Sequence, residues 1–392
     1  MDREDTKRDE ENYLKQCALE KTMSSHHTQV AEVSNGIRKF FNKAFSHVCI
    51  EGPQIDASEI QKSPLMVVST HRSHVDYFFV GNNLFQMGFK NLRFAAGDNL
   101  TKLPYIGPRF RAFGAFTVSR DSAFERNYVR KLCTEVVTML ENRDAVLVFP
   151  EGGRSYSGSM LDIKGGILNA ALLSQALNAD RDVYLFPIAV SYDCPPDLPL
   201  FPLLLKGKKY RKKSNNFLKR ILGSIYYFGA DIMAFIPFFL TKRLPLSYGS
   251  IYMDYETPVS VRSMVDLEAN RVEKARDEFA AHRVSLDKVS EQLHSKFLSL
   301  YRILPIHVIC AILKEQGDKP VDAGDLKENV KKIKDTVCKA GRNCKTLDAL
   351  TDALIVKEGL NRLRKLKAVK ISGGKITVRK PHIIDYFSAA VK

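Results

Sequence analysis

The stretch Ser69-Thr70-His71-Arg72-Ser73-His74-Val75-Asp76 sets two histidines and an aspartate in a polar turn between apolar runs. An imidazole can take up a proton. A carboxylate bonded to its other nitrogen fixes the tautomer and steadies the imidazolium. On a regular helix, His71 and Asp76 would stand about 140° apart and could not meet. Across a strand-to-helix turn they can. The carboxylate has a rival use, because Ser73-x-x-Asp76 fits a capping box with aspartate in place of Glu or Gln. His74 reads as a structural or surface residue. Further along, Glu151-Gly152-Gly153-Arg154-Ser155 combines close-approach backbone with a guanidinium able to grip a phosphate by two parallel bonds. The plain alternative is a tight turn with a solvated Glu–Arg pair. Arg120 and Lys164 supply further cations, and either could equally be a surface residue.

The elements that would position these groups are legible from periodicity. Leu65–Ser69, Leu92–Ala96, Gly114–Val118, Ala145–Phe149 and Val183–Val190 read as apolar strands. Between them, Asp76–Met87, Ala123–Glu141 and Ile167–Leu177 carry helical spacing. Such alternation predicts an α/β fold with a mostly parallel central sheet flanked by helices. In such sheets ligands gather at the carboxyl ends of the strands. His71, Arg120 and Glu151–Arg154 each follow a predicted strand, so one site is expected to hold them all.

At 392 residues and 45% hydrophobic, the chain can bury a large core, which excludes wholesale disorder. The net charge of +16 points to an anionic partner: nucleic acid, a membrane surface or phosphorylated substrates. The seven cysteines keep no regular spacing and read as reduced thiols in a cytosolic compartment. Met1–Asp5 is charged and precedes no apolar h-region, so no secretory signal is expected.

Three units are predicted: an N-terminal helical segment (1–60), a central domain (61–260), and a mainly helical C-terminal region (261–392). In the first, Ile37–Val48 has amphipathic helical spacing and reads as core packing. In the second, a basic run at 206–220 leads into an Ile-, Tyr- and Phe-rich stretch ending at Lys242-Arg243. This 206–243 segment reads as a membrane-surface element rather than a spanning helix, because Asp231 at its middle would be costly in hydrocarbon. In the third, Asp266–Tyr301 reads as one long charged helix and Leu304–Leu313 as another. A terminal hairpin turns on Gly373-Gly374, giving a winged-helix-like end.

Four blocks together resemble the glycerol-phosphate acyltransferase superfamily. The first is His-x4-Asp at His71–Asp76, where the His-Arg-Ser form resembles the glycerol-3-phosphate and dihydroxyacetone-phosphate branch. The second is Gly114–Arg120, which departs from that branch in having Ser119 before the arginine. The third is Phe149-Pro150-Glu151-Gly152-Gly153-Arg154-Ser155. The fourth is the apolar strand Phe186–Asp193 with Pro187 embedded in it. The resemblance spans about 60–260. It implies acyl transfer from a thioester, acyl-CoA or acyl carrier protein, to the sn-1 hydroxyl of glycerol 3-phosphate, for phospholipid synthesis. It also implies His71 as base, Asp76 as its orienter, and Arg120, Glu151, Gly152, Gly153, Arg154, Ser155 and Lys164 at the acceptor. No metal, cofactor or ATP is expected. The expected location is a membrane, with the site facing the cytoplasm. Dihydroxyacetone phosphate and lysophospholipids are the alternative acceptors. Nucleic-acid binding through the basic tail is the reading outside this class, and no nucleic acid is expected.

Overall fold

In the computed structural model, the described residues are 34–97, 101, 111, 114–119, 125–178, 180–202, 204–205, 248–275, 277–317, 319–322 and 324–392. Eight strands form one sheet: β1 (His47–Glu51), β2 (Leu65–Ser69), β3 (Leu92–Gly97), β4 (Ala115–Val118), β5 (Ala145–Val148), β6 (Tyr184–Tyr192), β7 (Ser250–Tyr255) and β8 (Val259–Ser260). Their order is β1-β7-β6-β2-β5-β3-β4, with β8 beside β6. The five strands from β6 to β4 run parallel. β7 and β8 run antiparallel to β6. The fold is thus α/β with a mostly parallel sheet.

β2 is buried along its whole length between β5 and β6. Its unbroken apolar run suits a strand covered on both faces. Leu65 and Val67 point to one side, where Ile37, Phe41, Phe79, Val80 and Phe186 pack. Met66 and Val68 point to the other, toward Val136, Leu168, Leu172, Leu293 and Phe297. This alternation follows from the two-residue period of a strand. It fixes which helices lie above the sheet and which below.

Three expectations are revised. The N-terminal helix ends at 44, and Val48 lies in β1, the sheet's edge strand on β7. The sheet therefore begins before residue 61. The expected single helix Asp266–Tyr301 is two, Glu278–Ala281 and Arg283–Leu300. Asp277 starts the first by accepting from the Ala280 amide at 2.9 Å, a local side-chain bond that favours a helix start over a helix interior. Cys338 and Cys344 are joined by a disulfide, with Cα atoms 5.8 Å apart, so these two are not reduced thiols. Cys49, Cys133, Cys194 and Cys310 are free.

The C-terminal region packs helices Pro305–Gln316, Leu326–Lys339 and Asp352–Lys365 with a small sheet. That sheet pairs β10 (Val369–Ser372), β11 (Lys375–Val378) and β9 (Val321–Asp322) in the order β10-β11-β9. Gly373 and Gly374 turn the hairpin with φ of 56° and 74°, the left-handed backbone that a two-residue type I′ turn needs at both positions. A last helix, Pro381–Ser388, closes against the central domain. The backbone carbonyl of Tyr386 comes so near Gly158 that a β-carbon there would sit 1.8 Å from it.

Candidate active site

The site forms where β2, β5 and β6 end. β2 is the middle strand of the three, so the turn that follows it is flanked by the loops after the other two. Thr70 anchors the turn to β6: its amide donates to Ile188 O at 3.1 Å, and its hydroxyl accepts from the Val190 amide at 2.9 Å. On the other side the Ser155 amide donates to His71 O at 3.1 Å.

His71 Nδ1 lies 2.9 Å from Asp76 Oδ2. The same oxygen accepts the amides of Arg72 (2.6 Å) and Ser73 (2.8 Å). Asp76 Oδ1 accepts the Tyr192 hydroxyl at 2.5 Å. With four donors around it the carboxyl acts purely as an acceptor, so the His71 proton sits on Nδ1 and Nε2 is the basic nitrogen. No hydrogen bond among the described residues engages Nε2. Both uses foreseen for Asp76 coexist, because it bonds the imidazole and also satisfies amides at the start of helix Asp76–Gln86. The Ser73 hydroxyl accepts the Val75 amide only at 3.4 Å and donates its own proton to Asp197.

His71 is only 3% exposed. Its ring stacks on Phe149 at 4.3 Å and meets Tyr77 edge-on at 5.1 Å. Burial holds the imidazole below its ordinary pKa, Asp76 opposes that shift, and Arg154 adds to the lowering. At neutral pH the ring is therefore uncharged and able to accept a proton.

Glu151 faces the protein interior. Its Oε1 accepts the His71 amide at 3.0 Å, and Oε2 accepts the Leu161 amide at 3.1 Å. Both oxygens also meet Arg72 Nη1, at 3.1 and 2.9 Å. Arg72 is itself buried, beside Met160 and with its guanidinium 5.1 Å from the Tyr301 ring centre. Arg154 is likewise withdrawn: its Nη1 donates to Asp197 Oδ2 at 2.5 Å, and its guanidinium lies 5.1 Å from the Tyr156 ring centre. Asp197 also accepts the Ser73 hydroxyl (2.6 Å) and the His74 amide (3.3 Å). Ser155 is buried and donates to Ser159 O at 2.7 Å.

Gly152 and Gly153 form the solvent edge of this cluster. Gly152 takes φ +69°, and the exposed Lys164 side chain lies where its β-carbon would be, 2.6 Å from Lys164 Cδ. Of the residues expected here, His71, Asp76, Glu151–Ser155 and Lys164 converge. Arg120 and the segment 206–243 lie outside the described residues. Among the described residues, no group of three or more His, Cys, Asp or Glu is arranged to hold a metal ion.

Tyr192, Asp197 and Tyr301 carry no site role in the sequence reading, and Arg72 enters it only through the His-Arg-Ser form, not as the partner of Glu151. Of the first three, Asp197 alone leaves a signal, as a carboxylate in the loop after an apolar strand. Three buried carboxylates (Asp76, Glu151, Asp197) face two buried guanidiniums (Arg72, Arg154). With His71 neutral the set carries one surplus negative charge, and a proton on His71 balances it.

An α/β domain with a buried histidine–carboxylate pair at the carboxyl ends of parallel strands is the class that fold and site define. Residues 48–191 match the family model described as Acyltransferase. The chain is 28% identical over 309 residues to a glycerol-3-phosphate acyltransferase of Shewanella amazonensis (strain ATCC BAA-1098 / SB2B), covering 72% of this chain and 38% of that protein. It is 29% identical over 262 residues to a human dihydroxyacetone phosphate acyltransferase, covering 66% of this chain and 35% of that one. The chain thus spans little more than a third of the length of these curated relatives.

Proposed function

We propose that the protein is an O-acyltransferase of glycerolipid synthesis, moving a fatty acyl group from a thioester to the sn-1 hydroxyl of glycerol 3-phosphate. The observation that carries this reading is the 2.9 Å contact of His71 Nδ1 with Asp76, in a ring kept neutral by burial. The match to the acyltransferase family model and the names of the relatives support it. His71 Nε2 takes the acceptor's hydroxyl proton while that oxygen bonds to the thioester carbonyl carbon. Asp76 stabilises the imidazolium, and the proton also cancels the surplus charge of the buried cluster. As the tetrahedral adduct collapses, the carbon–sulfur bond breaks and His71 returns the proton to the leaving thiolate. Products are an ester and a thiol, with no acyl-enzyme. Backbone N–H groups beside the glycine strip steady the oxyanion.

Glu151 acts here by bracing the turn through the His71 amide and Arg72. Arg154, Lys164 and Arg120, with Gly152-Gly153, receive the acceptor's phosphate, and Ser155 holds the loop to His71. The segment 206–243 rests on the membrane that supplies and takes the lipid chains, with the site on the cytoplasmic side. Among the described residues no helix is long and apolar enough to cross a membrane.

The test is transfer of labelled acyl groups from acyl-CoA and from acyl carrier protein to glycerol 3-phosphate, dihydroxyacetone phosphate and a lysophospholipid, with positional analysis of the product. Lysophosphatidic acid acylated at sn-1, lost in His71→Ala without loss of fold, is the expected result. Near wild-type turnover in His71→Ala sinks the mechanism. Because a dihydroxyacetone phosphate acyltransferase aligns at comparable identity, exclusive use of that acceptor would replace the assignment.

A further inference from the structure

Arg154 is the buried cation next to the exposed glycine strip, yet as it stands it cannot touch a ligand. Its side chain and that of Asp197 are each 1% exposed. A guanidinium fork suits carboxylate and phosphate equally well. Asp197 therefore presents to Arg154 the same chemistry that a phosphorylated acceptor would bring.

Two features make this pair exchangeable rather than merely structural. First, Asp197 does not depend on Arg154 alone. The Ser73 hydroxyl and the His74 amide also donate to it, at 2.6 and 3.3 Å. If the guanidinium leaves, the buried carboxylate keeps two donors and is not orphaned. Second, Arg154 directly follows Gly152-Gly153, both exposed, so its backbone stands within two residues of the solvent edge where Lys164 lies against Gly152. Arg72, the other buried guanidinium, lacks this option. It is enclosed by Glu151, Met160 and Tyr301.

We propose that Asp197 is a built-in competitor for the acceptor's phosphate: it pairs with Arg154 and yields it to the incoming dianion, with Ser73 and His74 holding the released carboxylate. Asp197 is thus a positioning and specificity-setting residue. Only a ligand that offers more negative charge than a carboxylate draws Arg154 out, so phosphorylated acceptors are selected over unphosphorylated polyols. This rests on the acyltransferase reading for its biological meaning, but not for its test.

The test is calorimetric titration of the full-length protein with inorganic phosphate and with glycerol 3-phosphate, without acyl donor. Asp197→Asn removes the competing charge and keeps the shape. It is expected to lower the Kd for both ligands by about tenfold or more. Ser73→Ala leaves the Asp197–Arg154 pair intact but removes a donor that holds the carboxylate after release. It is expected to raise the Kd by several-fold. Arg154→Met should abolish phosphate binding, and adding Asp197→Asn to it should restore nothing. A purely structural Asp197 would instead weaken binding in both single variants, because both would loosen the two loops. That same-sign result, in proteins that melt as the wild type does, overturns the proposal. So does a wild type that binds no phosphate. Should Asp197→Asn fail to fold, unchanged or tighter phosphate binding in Ser73→Ala also overturns it. Absence of acyl transfer by a wild type that shows the opposite-sign pattern would defeat the functional assignment alone.

Discussion

Asp76→Asn isolates the charge of the carboxylate from its shape. The asparagine oxygen can still accept from His71 Nδ1 and from the amides of Arg72 and Ser73, while its amide nitrogen turns to the Tyr192 oxygen. The turn should therefore persist. What disappears is the attraction between imidazolium and carboxylate. With contacting atoms 2.9 Å apart, the charge centres stand about 4 Å apart, and an effective dielectric of about 20 gives about 4 kcal/mol. That corresponds to about a thousandfold in rate. Steady-state kcat for acyl transfer, with circular dichroism and melting to check the fold, measures it. The pH–rate profile adds a second reading. Asp76 raises the His71 pKa against the lowering by burial. Its removal lowers that value further, so the acid limb of the profile should move to lower pH. A loss of less than tenfold, or an acid limb that moves upward, would refute the orienting role and leave Asp76 as a helix-start residue only.

Three further outcomes follow from the packing. Arg72→Met leaves Glu151 buried without its cation and should cost about 3–5 kcal/mol of stability in urea unfolding; Glu151→Gln in the same chain should recover part of that. Gly158→Ala would drive a methyl group into the Tyr386 carbonyl at a φ of +82°. It should detach helix Pro381–Ser388 and lower the melting temperature, whereas Gly153→Ala, with open space around it, should not. His307 is pushed down to about 3, mainly by burial, with Arg342 and Arg72 adding to it, and its Nδ1 accepts the Leu304 amide. The unfolded chain binds this proton below about pH 6.5, so folded stability should fall as pH drops from about 6.5 toward 3, by up to about 1.4 kcal/mol per pH unit. His307→Asn should flatten that slope in urea titrations run at several pH values; an unchanged slope would refute the assignment.

The strands and helices around the turn were legible because their signals are local. β2, β5 and β6 are unbroken apolar runs, and helix Arg126–Glu141 has clear helical spacing. β7 leaves a weaker signal, because Ile251 and Met253 alternate with Tyr252 and the charged Asp254 instead of forming an unbroken apolar run. β1 is hidden in the sequence because Val48 continues the apolar spacing of the preceding helix, while its strand partner β7 is some 200 residues away.

The sequence by itself determined the α/β order of elements, the strand ends at which His71, Asp76 and Glu151–Arg154 stand, and the exposed glycine pair among them. Those follow from side-chain periodicity and from backbone freedom, which neighbours in the chain decide. Only the tertiary structure decided how the charges are partnered. Glu151 meets Arg72 across 79 positions, Asp197 meets Arg154 across 43 and Ser73 across 124, and Tyr192 reaches Asp76 across 116. A lone charged residue in a sequence has no visible partner, and the cost of burying it sets which partner it must find. For that reason, two residues that read as ligands of a substrate, Glu151 and Arg154, face other side chains of the protein.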